Sequence, residues 1–386
     1  MKRFGWILVL LIAASPAWAA KKITVQQLKD MLVSMQKASK SDEDVAAALK
    51  QVELSEELTR ADMNSLVSFV PGKYSTEQIY VLEAKSAILA PPAADLPATP
   101  APDAAAQKAL LDKATDYVTK TYAQLPAITA TKTSLRFQDN VEAVTASSGM
   151  HSSAVYGVDP SLVSAGQFVH FINSTETPVA FVNGAEKLPA EKDKTPWGQN
   201  AQTAVQGQGP VLTTVLEEAQ AAGKIGWLRW ETVNGKAASV YAFSVDKKKT
   251  HYAVDYCCFP NTEQTGRMSY SPPSQGNTNP VAKGNLQTNT NWHDYKATVP
   301  YHGELFIDPD TGIVVRLVFQ AEFKNTDVVH QEDRRIDYAP VTVGGKAMVL
   351  PVKTVINTEV VPTGDSGSGK YTTRRTLFTV EYKDYK

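Results

Sequence analysis

The segment Tyr301–Phe323 constrains the fold more than any other part of the chain, because its sequence is typical of two strands joined by a tight turn. The turn, Asp308–Gly312, begins with a carboxylate that can accept hydrogen bonds from the backbone ahead of it. It also contains a proline, whose φ is already fixed, and a glycine, which tolerates positive φ. The segment therefore predicts a β-hairpin.

The residues on either side of this turn predict how the two strands pair. In the simplest register Leu305 faces Val315, which gives one apolar side. Glu304 then faces Arg316, which gives an oppositely charged cross-strand pair on the other side. Turn formation and strand pairing account for all these residues, so the acidic turn indicates a fold and not a catalytic site.

A second hairpin is predicted around Asn234-Gly235, because this dipeptide favours a two-residue type I′ turn. Its strands place a set of large apolar residues on one face, and these are Leu228, Trp230, Tyr241 and Phe243. Such a set can line an apolar pocket that binds a ligand, or it can form the solid core of a sheet. Both interpretations stay open at this point.

Length and charge bound the class of protein. The chain has 386 residues, of which 43% are hydrophobic and 20% charged, which is enough for a globular core. Its formal net charge is −1, and removal of Lys2 and Arg3 with an export segment would make it −1 − 2 = −3. A charge this small offers no general attraction for nucleic acid.

The first residues have the pattern of a secretory signal peptide. Lys2 and Arg3 precede an apolar run from Trp6 to Ala14, and the small residues around Ala19 match a cleavage site after that position. The apolar run is shorter than the roughly 20 residues that span a bilayer, and no later segment is long and apolar enough. We therefore expect an exported protein, periplasmic or extracellular, with a signal peptide over 1–19 and no transmembrane helix in the mature chain.

The spacing of hydrophobic residues divides the mature chain into three segments. Residues 20–89 predict a small helical unit, with caps at Thr24, at Thr59 and at Ser75. Residues 90–102 are rich in Pro and Ala and predict a semi-rigid linker. Residues 103–386 predict a helix followed by an antiparallel β domain, inside which Gly209–Ala222 has the pattern of a single amphipathic helix.

Cys257 and Cys258 are the only cysteines and are adjacent in the sequence. In an oxidising compartment they can form a strained vicinal disulfide, act as a redox pair or bridge to another molecule. They can also be two small apolar residues of a strand.

No motif in the sequence supports an enzyme or implies a cofactor. The six histidines have no metal-binding spacing, and the chain lacks a nucleophile elbow, a Walker loop and a dinucleotide-binding fingerprint. The sequence therefore predicts no catalytic residue, no metal site and no cofactor.

Several stretches together resemble a widespread family of uncharacterised exported bacterial proteins. They include LSEELTRADMNSLVSFVPG, WLRWETVNGKAASVYAFSV and YHGELFIDPDTGIVVRL, and the resemblance covers most of the mature chain. The family has no assigned activity to carry over. The C-terminal run of hairpins is also similar to the lipoprotein-carrier (LolA-like) half-barrel, which implies a curved antiparallel sheet around a helix and an apolar cavity.

The fold expected is therefore α+β, with a helical N-terminal unit and a curved, half-barrel-like antiparallel sheet wrapped on one helix. Two functions are expected from it. In the first, the protein binds an apolar or amphiphilic, lipid-like ligand in the concavity of the sheet without being an enzyme. In the alternative, it is an interaction or scaffold protein that binds an envelope protein and has a solid core.

Overall fold

The computed structural model describes residues 21–138, 169–187, 212–260, 292–327, 329–360 and 374–386. The predicted signal peptide over 1–19 lies outside these ranges.

The described residues contain six α-helices, and they are α1 Val25–Lys37, α2 Asp42–Lys50, α3 Arg60–Leu66, α4 Lys73–Ser86, α5 Ala104–Lys120 and α6 Leu212–Ala222. Short 3₁₀ turns follow at Val67–Phe69, Ala93–Asp95 and Tyr122–Gln124. The strands are β1 Lys21–Ile23, β2 Val52–Leu54, β3 Ile128–Gln138, β4 His170–Val182, β5 Ala185–Glu186, β6 Ile225–Val233, β7 Lys236–Val245, β8 Ala253–Pro260, β9 Trp292–Thr298, β10 Tyr301–Ile307, β11 Val314–Ala321, β12 Val329–Val343, β13 Lys346–Val360 and β14 Arg374–Lys383.

Ten of these strands form one antiparallel sheet in the order β5-β4-β3-β14-β13-β12-β11-β10-β7-β6. The sheet does not close into a barrel, since β5 and β6 are its two ends. Two small sheets accompany it, the parallel pair β1–β2 and the antiparallel pair β8–β9. The predicted α+β class with a large antiparallel sheet is confirmed.

The two faces of the large sheet carry different kinds of side chain. One face, here called the aromatic face, carries Tyr241, Leu305 and Phe319 and packs against apolar residues of both α5 and α6. Two helices, not one, therefore cover this face. The opposite face, here called the charged face, carries Phe306, Arg316 and Leu377 in the alternate positions of the same strands.

The N-terminal unit has an apolar core of its own and lies on the charged face. Its core joins residues from β1 through α4, including Leu28, Leu49 and Ile79, all at most 1% exposed. Val81 and Ala84 of α4 pack instead against sheet residues such as Leu377. The sheet is therefore a middle layer between two sets of helices.

The starts of α1 and α3 follow from local chemistry, whereas the start of α4 does not. Thr24 forms a complete capping box with Gln27, and Thr59 caps α3, as predicted. The prediction of a start at Ser75 was wrong, because α4 begins at Lys73. Asp42 of α2 accepts hydrogen bonds from the backbone of Ser75 and its neighbour, both at 2.9 Å, so the cap comes from another helix.

The hairpin 301–323 forms, but its predicted register was wrong. Leu305 pairs with Leu317, and a bulge lies between Phe306 and Ile307. The bulge shifts the alternation of side chains beyond it, so Val315 packs with Phe306 on the charged face, whereas Leu305 lies on the aromatic face. Leu305 and Val315 therefore do not share the apolar side that the sequence predicted for them.

The predicted pair between Glu304 and Arg316 was also wrong. The carboxylate of Glu304 instead receives two hydrogen bonds of 2.8 Å from the guanidinium of Arg229. Arg316 donates to Asp337 at 2.6 Å. The turn itself is confirmed, because Asp308 accepts from two backbone N–H groups ahead of it and Gly312 has φ +75°.

Candidate functional site

The predicted apolar set of the second hairpin does not lie on one face. Asn234 and Gly235 have φ of +50° and +78°, which confirms the type I′ geometry. A bulge between Trp227 and Arg229 changes the pairing, so that Trp227 and not Leu228 lies opposite Tyr241. The shared face predicted for Leu228 and Tyr241 was therefore wrong.

The four residues predicted to bind a ligand occupy three environments. Tyr241 and Phe243 are buried in the core of the aromatic face, at 1% and 3% exposure. Leu228 is 45% exposed. Trp230 donates from Nε1 to the backbone oxygen of Pro100 in the linker at 2.9 Å, so it helps to hold the linker.

The aromatic residues of the core are packed against one another and against helices. Tyr301 lies edge-on to Phe243, Tyr252 and Phe319, with ring centroids 5.7–6.2 Å apart. Side chains that line a cavity large enough for a ligand keep accessible surface, but the four rings of this cluster are at most 3% exposed. The aromatic residues are therefore used in packing. Tyr241 belongs to this arrangement too, since its hydroxyl donates to the backbone oxygen of Gln107 in α5 at 2.6 Å.

The charged face carries a chain of buried ion pairs of alternating sign. Arg229 bonds Glu231 at 2.7 Å, and Glu231 lies 3.5 Å from Arg316. Asp337 then accepts from both Arg316 and Arg335. Burial acts to raise the pKa of Asp337, but these two guanidinium groups outweigh it and hold the pKa below its ordinary value.

This charged chain extends into the N-terminal unit. Glu57, which follows β2, accepts a hydrogen bond from Nη1 of Arg335, and the same nitrogen donates to the backbone oxygen of Ala87 at 3.0 Å. Glu83 of α4 accepts from Lys353 of β13 at 2.9 Å. The residues Glu57 and Glu83 are 6% and 7% exposed, so these contacts are enclosed between the unit and the sheet.

Two buried carboxylates lie on the aromatic face. Glu218 of α6 accepts from the hydroxyl of Tyr301 at 2.7 Å and from both the backbone N–H and the ring of His251. Glu332 of β12 accepts from Tyr252 and from the guanidinium of Arg334, the latter at 2.7 and 2.8 Å. Burial and then the Glu332 carboxylate raise the pKa of Tyr252 well above its ordinary value, so its hydroxyl stays protonated and donates.

Three exposed aromatic side chains surround Glu77 of α4. Tyr74 and Tyr80 each lie three residues from Glu77, which places both beside it on the helix surface, and they are 54% and 38% exposed. The backbone N–H of Phe171 donates to the Glu77 carboxylate at 2.9 Å, and the Phe171 side chain is 39% exposed. We call these three residues the Glu77 aromatic patch.

Cys257 and Cys258 lie in β8 at an irregularity of the β8–β9 pairing. Tyr256 pairs with Tyr295 and Phe259 with His293, so the two cysteines stand opposite one residue of β9. Their predicted redox role stays a prediction. In the described ranges no group of three His, Cys, Asp or Glu residues is placed to hold a metal ion. Among the helices of those ranges, none has the length and apolar composition to cross a bilayer.

Comparison with known proteins gave no match among family models, curated proteins or solved structures. The resemblances to exported bacterial proteins and to the lipoprotein-carrier half-barrel therefore stay predictions.

Reasoning from the sequence missed the charged chain and the Glu77 aromatic patch. Arg335 and Glu57 are 278 positions apart, and only the pairing of β11 with β12 brings Arg316 to Asp337. A signal for the patch was present, because Tyr74 and Tyr80 fall outside the apolar stripe of α4. Aromatic residues are enriched in protein interfaces, so two of them on the polar side of one helix were a signal that the sequence contained.

Proposed function

We propose that the chain is an exported, non-enzymatic protein of the cell envelope that binds another envelope protein through the Glu77 aromatic patch. The observation that carries the proposal is the grouping of three exposed aromatic side chains, Tyr74, Tyr80 and Phe171, around one carboxylate. Tyrosine and phenylalanine are enriched in protein interfaces, because they offer a large contact area with few rotatable bonds.

The packing of the core supports this function over ligand binding in the concavity of the sheet. The aromatic residues that would line a lipid-like ligand are already buried against α5 and α6. A protein with a solid core presents its binding groups at the surface, and the Glu77 aromatic patch is such a group. The signal-peptide pattern over 1–19 supports placement in the envelope.

The proposal can be tested by placing a photo-crosslinking amino acid at Tyr74, at Tyr80 and at Leu228 in separate variants. Leu228 is a matched control, because it is an exposed apolar residue on β6, at the other end of the sheet order from β4. We expect positions 74 and 80 to give the same single crosslinked protein in living cells and position 228 to give none. The purified partner should then bind the wild-type chain, with Kd at least tenfold weaker for a Tyr74→Ser/Tyr80→Ser double variant.

Three outcomes would contradict the proposal. They are the absence of a discrete protein product, an identical product from all three positions, and a partner whose Kd the double variant does not change. Native mass spectrometry of protein purified from its own envelope gives a second check. A stoichiometric lipid without a protein partner would favour the ligand-binding function instead.

A further inference from the structure

The two ends of the ten-stranded sheet differ in what covers their backbone. At the β6 end the linker lies against the strand, because Nε1 of Trp230 donates to the backbone oxygen of Pro100 at 2.9 Å. At the other end β5 has only two residues, and it pairs with Phe181 and Val182 of β4. Among the described strands, none pairs with the outer side of β4 before those two residues. In the described part of the chain, the sheet therefore has an open edge at β4.

The pairing of β4 with β3 determines which backbone groups form this open edge. In an antiparallel pair, residues that bond the partner strand alternate with residues whose N–H and C=O groups point away from it. The backbone oxygen of Ala180 accepts from the backbone N–H of Lys187, beyond β5, at 2.7 Å, so Ala180 points away from β3. The register is regular over this stretch, so Pro178, Glu176 and Ser174 also point away from β3.

The backbone groups of this outward row are open. Ser174 and Glu176 are exposed, and each offers one N–H and one C=O group. No described residue forms a hydrogen bond with these groups. Pro178 offers only its oxygen, since proline has no N–H, and an outward position on an edge strand is where proline is tolerated. The row is therefore a template on which another strand can pair.

The outward row leads to the Glu77 aromatic patch. The backbone N–H of Phe171, near the start of β4, donates to the carboxylate of Glu77 at 2.9 Å, so α4 reaches the edge of the sheet at this point. Tyr74 and Tyr80 lie three residues to either side of Glu77 on the same side of α4. An added strand would lie about 4.8 Å beyond β4, so its side chains on the α4 side would meet the two tyrosine rings.

These surroundings define the chemistry of the segment that fits the edge. It is extended, and it carries apolar side chains at alternate positions, because alternate residues of a strand face the same side. Glu77 forms no ion pair with any of the described Lys, Arg or His residues. A lysine or arginine in the added segment would supply the missing cation at this end of the row.

We propose that the partner protein adds an extended segment to β4 as an eleventh strand of the sheet. Its backbone pairs with Ser174 and Glu176, its apolar side chains lie against Tyr74 and Tyr80, and its basic side chain lies beside Glu77. This inference rests on the proposed function, because it specifies how the partner of the Glu77 aromatic patch binds. Hydrogen bonds of the main chain then supply affinity, and the tyrosines and Glu77 supply specificity.

The first test needs no partner and measures hydrogen exchange of single amides in the full mature chain. The amides of Ser174 and Glu176 should exchange at least about tenfold faster than those of Thr175 and Thr177, which point to β3. Equal protection of all these amides would overturn the proposal, because the edge would already be covered. Protection of the outward amides that grows with chain concentration would also overturn it, because a second copy would then occupy the edge.

The second test uses the protein that crosslinks to positions 74 and 80, after purification. Ser174→Pro removes one outward N–H, and Pro178 shows that β4 accommodates proline at such a position. We expect Ser174→Pro to weaken Kd for this protein at least about tenfold and Ser174→Ala, which keeps the N–H, to change it less than about twofold. Overlapping synthetic peptides of the partner should identify one binding segment, with the alternating apolar residues and the basic residue.

The outcomes separate this proposal from the proposed function. A Kd that Tyr74→Ser/Tyr80→Ser weakens and Ser174→Pro does not would overturn strand addition and leave the proposed function standing. Equal losses for Ser174→Pro and Ser174→Ala would also overturn strand addition, because the side chain and not the backbone would then be recognised. If Ser174→Pro lowers the thermal unfolding midpoint, the wild-type chain decides, since the partner should slow exchange of its Ser174 and Glu176 amides at least about tenfold. Unchanged exchange of these amides in the complex would overturn the proposal.

Discussion

The attachment of the N-terminal unit to the sheet should depend strongly on Glu57. The substitution Glu57→Gln keeps the shape of the side chain but removes the negative charge that faces Arg335. Both side chains are largely buried, at 8% and 12% exposure, so water cannot replace the lost partner. Removing one member of a buried pair typically costs 3–5 kcal/mol, and Asp337 still bonds Arg335 at 3.0 Å. We therefore expect a loss of about 3 kcal/mol in the free energy of unfolding.

Urea-induced unfolding measures this loss, and hydrogen exchange locates it. The amides of the N-terminal unit, residues 21–89, should lose more protection than those of α6, because the contact lies between the unit and the sheet. Arg60→Met is the matched control. Arg60 also joins the unit to the sheet through Glu381 at 3.5 Å, but it is 48% exposed, so its loss should cost less than about 1 kcal/mol.

A double variant, Glu57→Gln/Arg335→Met, completes a thermodynamic cycle. Replacing a buried ion pair as a whole is often neutral, so the double variant should be more stable than Glu57→Gln alone. The reasoning would be refuted if Glu57→Gln and Arg60→Met had equal effects. It would also be refuted if the coupling free energy between Glu57 and Arg335 were close to zero.

Two further predictions concern pH and backbone packing. Burial raises the pKa of Asp333 from 3.8 to about 6, so protonation of this carboxyl group favours the folded state. The protonated group therefore contributes its full stability below pH 3.8, and this contribution is lost as the pH rises through 6. A shift of this size corresponds to about 3 kcal/mol. The free energy of unfolding of wild type, relative to that of Asp333→Asn, should therefore fall by up to this amount between pH 3.5 and pH 7. A difference that does not vary with pH would contradict the raised pKa of Asp333. A methyl group on Gly303 would lie 2.1 Å from the backbone oxygen of Val318, so Gly303→Ala should lower the free energy of unfolding in urea by about 3 kcal/mol. A methyl group on Gly226 would meet no atom within 4 Å, so Gly226→Ala should change the free energy of unfolding by less than about 1 kcal/mol. Equal losses in the two variants would count against the close packing at Gly303.

Local features could be predicted from the sequence because a few adjacent residues determine them. The capping box of Thr24, the cap of Thr59 and the type I′ turn at Asn234-Gly235 each involve residues at most three positions apart. The α+β class followed in the same way, since the change of hydrophobic period from 3.6 to 2 after Pro126 is a local pattern.

Strand register could not be predicted, because two bulges alter it. At Leu228 and between Phe306 and Ile307 the pairing shifts, and the residues beyond each bulge exchange faces. The position of a bulge depends on how the neighbouring strands pack, which the sequence of one hairpin does not contain. The error at Leu228 placed a surface residue in the candidate site.

The candidate sites depend on contacts between distant parts of the chain. The Glu77 aromatic patch joins α4 to β4, and in the charged chain Arg316 meets Asp337 only through the pairing of β11 with β12. The sequence left two possibilities open for the aromatic residues, a pocket or a core. Sequence reasoning had no means to see that an exposed aromatic residue of β4 would lie beside those of α4.

The place of β14 in the sheet has a consequence for how this protein is made. The strands β5, β4 and β3 connect to the other six through β14 alone, which pairs with β3 on one side and β13 on the other. A growing chain can therefore assemble a three-stranded piece and a six-stranded piece, but it cannot join them until residues 374–383 have been synthesised. Each piece exposes a long unpaired edge until then, which invites pairing with another chain. The strand order therefore requires that two open edges stay unpaired with other chains until β14 has been made.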